Sequence, residues 1–163
     1  MKMKTILLFM GLLAQIVYGQ SENLQIQTKP AAENDVSWET TLTITLPAAI
    51  QNGFLLELPA GLQMIPISVT ENTRPLWLQN SGQPAAVDSV VSWQTTARGT
   101  VFMFRAGQTV SGDRLQIVAM TTLSGKRPDP QALIGLRPYT PGQPPGEAAA
   151  SVALPPEWTQ PGQ

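Results

Sequence analysis

The chain has 163 residues, 42% hydrophobic and 13% charged, with 10 basic against 11 acidic side chains and neither histidine nor cysteine. Without those two residue types there is no Ser-His-Asp or Cys-His dyad, hardly any route to a zinc, copper or haem site, and no disulfide. A formal charge of −1, with no basic run longer than Lys126-Arg127, argues against nucleic acid, because neutralising phosphates needs a basic stripe.

The chain opens with Lys2 and Lys4, an apolar run over Ile6–Leu13, and small residues at Val17 and Gly19. That is the layout of a secretory signal over 1–19, with the cut before Gln20. An uncleaved N-terminal anchor is the alternative. No later apolar run approaches the about 20 residues a spanning helix needs. The expected product is secreted, periplasmic or at the cell surface, and is not an integral membrane protein once the signal is gone. Export without a disulfide, a lipid-anchoring cysteine or an Asn-x-Ser/Thr sequon points to a bacterium.

Leu24–Thr28 alternates apolar and polar residues and reads as a first strand. Trp38–Leu46, WETTLTITL, is the cleanest strand, with Leu42, Ile44 and Leu46 on one face and Thr41, Thr43 and Thr45 on the other. Asn52-Gly53 carries the signal of a tight hairpin turn. Phe54–Leu58 and Met64–Val69 then read as an antiparallel pair joined by Leu58-Pro59-Ala60-Gly61. Pro66 has no N–H for a ladder, so its strand lies at an edge or carries a bulge there.

The apolar triplet Leu76-Trp77-Leu78 follows. Val87–Gln94 and Thr100–Ala106 form a hairpin about Arg98-Gly99, with Trp93 on the core face. Leu115–Thr122 is the last strong strand, and Leu133–Leu136 adds a weaker one. Strands recur roughly every eight to fifteen residues, with Gly, Pro and Asn between them. The fold class is therefore all-β: an antiparallel Ig-like or jelly-roll β-sandwich over 20–137, followed by a Pro-rich C-terminal tail over 138–163. The tail carries seven of the 15 prolines, a strand-like Ala149–Leu154 and Trp158. Either it lies along its own sandwich, with Trp158 in a notch, or it docks on another chain and allows self-assembly.

No residue constellation carries chemistry. Ser124-Gly125-Lys126-Arg127 lacks the upstream glycine and the Ser/Thr of a phosphate loop. Among the carboxylates Glu57 stands out, being flanked by Leu55 and Leu56, and it reads as a face or edge charge. The chain is expected to be no enzyme, with no catalytic residue, metal or cofactor. What remains is aromatic: Trp77, Trp38 and Trp158 form the candidate binding surface, since exposed tryptophan can hold a sugar ring or a partner's surface.

The phrases Leu42–Pro47 (LTITLP), Phe54–Leu62 (FLLELPAGL) and Thr109–Val118 (TVSGDRLQIV) resemble those of bacterial secreted Ig-like modules of the cohesin and adhesin types, over residues 24–137. The resemblance implies a non-catalytic binding or adhesion module recognising a protein or glycan at the bacterial envelope or outside the cell. A structural subunit of a surface assembly is the alternative, and a carboxylate-based glycoside hydrolase the weakest one.

Overall fold

The computed structural model describes residues 18–31, 33–105 and 107–161, so the apolar run of the expected signal lies outside the described residues. Among them the chain forms β1 (Tyr18–Gln20), β2 (Leu24–Pro30), β3 (Ser37–Thr45), β4 (Gly53–Glu57), β5 (Leu62–Glu71) and β6 (Arg74–Asn80). There follow β7 (Val90–Thr96), β8 (Gly99–Met103), β9 (Arg114–Leu123), β10 (Leu133–Pro138), β11 (Ala150–Ala153) and a single helical turn, α1 (Pro156–Thr159). The eleven strands join in the order β1-β2-β3-β9-β5-β6-β7-β8-β4-β10-β11. β11 lies beside β1 and β2, so the sheet rolls round and nearly closes on itself.

The strand patterns explain the roll. Along β3, Trp38, Thr40, Leu42 and Ile44 are buried while Thr41, Thr43 and Thr45 are half exposed, the two-residue period of a one-sided strand. These side chains, with Leu24, Ile26, Leu115 and Ile117, meet Phe54, Leu56, Val91, Phe102, Ile134 and Leu136 from the other half of the sheet in one core. Phe54 and Phe102 stack there, with centroids 5.0 Å apart. The face polarity expected for Trp38–Leu46 holds, and β9 likewise buries Leu115, Ile117 and Ala119 along one face. Buried Thr40 and Thr121 satisfy each other through a 2.8 Å hydroxyl contact.

Three expectations need correcting. The sheet is mixed, because β6 and β7 run parallel, with Trp77 opposite Val90. Phe54–Leu58 and Met64–Val69 do not pair: β4 lies between β8 and β10, while β5 lies between β9 and β6. Gly61, at φ +92°, turns the chain from one half of the sheet to the other. Asn52-Gly53 makes no hairpin either. Gly53 begins β4, where a Cβ would come within 2.4 Å of the Phe102 carbonyl, so glycine is needed there for close strand approach.

The segment after Pro138 belongs to this fold. β11 pairs with β10 from Leu136↔Ala150 to Leu133↔Ala153. Tyr139 donates its N–H to Gly53 at 3.0 Å and packs on Leu55, Val101 and Met103, so β4 is buried on both faces. Trp158 enters the main core. A proline-rich stretch buries little by itself, but here Tyr139, β11 and Trp158 each find a strand edge or an apolar hollow of their own chain, while residues 140–144 and 146–148 stay exposed.

Candidate functional site

The sheet changes halves at one corner. β5 and β6 form a hairpin whose two turn residues, Asn72 and Thr73, have φ of 46° and 73°, the left-handed pair that a tight two-residue hairpin requires. Asn72 fastens this turn to the neighbouring bend: its Oδ1 accepts from the Arg114 N–H at 2.8 Å, and its Nδ2 donates to Asp113 at 3.0 Å. Pairing then stops after three residues, at Val69↔Leu76. Beyond it β6 swings to β7, and the Trp77 N–H donates to the Ser89 carbonyl at 2.7 Å.

That departure leaves the first part of β5 without a ladder partner on one side. The structure protects this edge in two ways. The Thr100 hydroxyl donates to the Met64 carbonyl at 2.8 Å. Pro66, two residues on, presents the same edge with no N–H to leave unpaired. A bulge between Pro66 and Ser68 follows, so β5 is both a local edge and bulged, as Pro66 implied. The bulge turns two consecutive side chains outward, and one is Ile67.

The result is an apolar surface. Trp77 is 75% exposed, Ile67 55% and Ile65 43%. Trp77 follows Leu76, the last β6 residue paired to β5, and the bulge ends at Ser68, one residue before Leu76's partner Val69. Exposed Val87 lies in the turn leading into β7. Val91, beside Leu78, points into the core.

Comparison with family models, curated proteins and solved structures found no match. The site is therefore read from its geometry alone.

Of the three candidate tryptophans, only Trp77 presents its ring to solvent. Trp38 is 2% and Trp158 0% exposed, so neither belongs to a binding surface. Trp38 shares its face with Leu42 and Ile44, the inward side that the two-residue period of its strand implies, and Trp158 projects from α1 into the core, where no spacing placed it. Trp93, expected in the core, is half buried against it. Ile65 and Ile67 are exposed while Val69 is buried, although strict alternation along Met64–Val69 would put all three on one face. The proline two positions before Ser68 was the signal that alternation breaks there.

Several carboxylates have cationic or polar partners. Glu57 receives hydrogen bonds from Arg98 Nε at 2.9 Å and Arg137 Nε at 3.0 Å. Burial by itself would raise this carboxyl, but the bonds and charges of the two guanidinium groups outweigh it and hold the group below the usual carboxylate range. Glu157 differs, since burial pushes it up against a smaller opposing backbone hydrogen bond, and the Thr28 hydroxyl donates to it. Arg127 donates to the carbonyls of Glu157 and Asp35 at 3.0 and 2.9 Å and to the Asp35 carboxylate at 2.7 Å, fixing α1 to the loop before β3. A cleft of about 610 Å³ lies between Pro59-Ala60 and the Lys126–Pro130 loop.

Proposed function

We propose that the chain is a non-catalytic binding module, exported to the bacterial envelope or beyond, that holds a protein partner through the corner surface centred on Trp77. The observation that carries this reading is the 75% exposed indole at the first β6 position beyond its ladder with β5, on a corner held by the Asn72 staple and shared with exposed Ile65 and Ile67 of β5. A large, rigid aromatic side chain next to branched aliphatics suits a desolvated contact with another protein, where such residues dominate binding energy. The double arginine clamp on Glu57 supports the non-catalytic assignment, because a carboxyl held low stays ionised near neutral pH and cannot serve as a general acid. The two sheet halves facing one core support the finer assignment of a jelly-roll-type sandwich, a form common among extracellular binding modules.

The test measures binding of the purified chain to envelope proteins and to a glycan array, beside Trp77→Ala and Ile67→Asp. Loss of protein binding in both variants with an unchanged melting temperature is the expected result. Binding that survives Trp77→Ala overturns the assignment of the surface. Retention on glycans alone replaces the protein partner by a sugar, and turnover of a glycoside substrate overturns the non-catalytic reading.

A further inference from the structure

One end of the sheet carries a strand that export would remove. β1 lies antiparallel to β2, with Tyr18 opposite Ile26, and it also lies beside β11 at the far end of the sheet. It therefore sits in the seam where the rolled sheet almost closes. The expected cut before Gln20 takes away two of the three β1 residues.

Which backbone groups this exposes follows from strand parity. The Asn23 carbonyl accepts from Thr45 on β3, so odd-numbered β2 residues turn their backbone toward β3. Even-numbered residues face the seam. Leu24 is already satisfied there: its N–H donates to the Ser21 hydroxyl at 3.1 Å and its carbonyl accepts from the Ser21 N–H at 3.0 Å. Ser21 stays in the exported chain. Ile26, the partner of Tyr18, has no such substitute, and the Ile26 side chain forms part of the core. Farther along, the Thr28 hydroxyl donates to Glu157, which ties β2 to α1.

We propose that the seam between Ile26 of β2 and the outer edge of β11 is a strand-acceptor slot in the exported protein, filled by an extended segment of another polypeptide chain. Residues 18–20 mark the geometry of the occupant: antiparallel to β2, short, and centred on Ile26. Main-chain hydrogen bonds supply the affinity, as in other cases of strand addition, and the Ser21 cap on Leu24 limits the register at one end. Elsewhere an open edge is protected, by Pro66 and Thr100 on β5, which leaves this seam as the edge suited to a partner. The slot is separate from the Trp77 corner and rests on the export reading alone.

The experiment uses protein recovered after export, with its N-terminus identified by mass spectrometry. Amide hydrogen exchange is compared with that of the uncleaved chain, with and without an acetylated peptide of residues 15–20, QIVYGQ. In a chain beginning at Gln20, the Ile26 amide is expected to exchange at least about tenfold faster than in the uncleaved chain. Ile117 in the sheet centre should stay protected, and the peptide should restore protection at Ile26. The same peptide with Tyr18→Pro lacks the N–H for the ladder and should fail. A Gln20 chain that melts cooperatively only with the peptide present supports the slot equally. An Ile26 amide already protected without peptide means β2 and β11 close directly, and it overturns the proposal while leaving export intact. A recovered chain that retains Met1 overturns the export reading and the slot together.

Discussion

The indole of Trp158 lies 6.0 Å from that of Trp38, centroid to centroid, with the ring planes tilted by 43°. This contact joins the helical turn α1 to the start of β3, across more than a hundred residues of sequence. It makes the C-terminal segment a component of the core. Arg127 fastens the same turn from outside through the Glu157 carbonyl.

Trp158→Ala should therefore cost about 3–5 kcal/mol, as removal of a buried large aromatic does. Trp158→Phe should cost much less. The buried Nε1 of Trp158 has no hydrogen-bond partner among the described residues, so exchanging the indole for a phenyl ring leaves no bond among them unmade. Denaturant melts of the two variants check this. Equal losses would mean that the indole nitrogen contributes after all.

Two carboxyls set opposite pH dependences. Glu57 is held low in the folded chain, so its contribution to stability is present above its unfolded-state pKa and is lost as pH falls through the lowered folded value. Glu157 is raised, so the folded chain binds its proton more tightly than the unfolded chain does. Its contribution is fully present below the unfolded-state pKa and disappears as pH rises through the raised value. Glu157→Gln should remove that second loss and leave the protein at least as stable as wild type near neutral pH. Glu57→Gln should lower stability near neutral pH and flatten the acid limb. Melting temperatures across the carboxylate range read both signs.

Two glycines separate backbone strain from steric conflict. Gly112 has φ +91° with nothing within 4 Å of an added Cβ, so Gly112→Ala should cost only about 1–3 kcal/mol of backbone strain. Gly99 has φ +145°, and its Cβ would lie 2.0 Å from the Leu56 carbonyl oxygen. Gly99→Ala must push β8 from β4 at the Glu57↔Gly99 end of their ladder. It should destabilise the chain more than Gly112→Ala does, and a smaller effect in chemical denaturation would contradict the close approach.

The strands were legible where one face is apolar and the other polar. β2, β3 and β9 follow their two-residue periods, and the buried faces of Ile44 and Ile117 are those the spacing implies. Pairing was less legible, because alternation identifies a face and not a neighbour. Phe54–Glu57 is apolar on both sides because the later Tyr139 segment covers it, so the sequence beside it could not say which strands flank it. The corner at Trp77 was half legible: the tryptophan stands out in the sequence, but its exposure depends on β6 leaving β5 after three pairs. Trp158 was ambiguous for a similar reason. Its four-residue helix has no apolar period of its own, and only the hollow beside Trp38 decides where the ring goes.

The contrast between Trp77 and the other tryptophans gives a direct optical check on the corner surface. Trp38 and Trp158 are buried and Trp93 is half buried, so Trp77 should account for most of the emission that acrylamide quenches readily. Trp77→Phe should remove that readily quenched component and shift the remaining emission to shorter wavelength. Because the side chain at position 77 covers little of the core, the change in stability should stay within about 0.5 kcal/mol. Ile44→Ala, with a side chain wholly inside the core, should cost about 2–5 kcal/mol. Comparable losses for the two variants would mean that the indole packs against the sheet, and the corner would no longer qualify as a surface waiting for a partner.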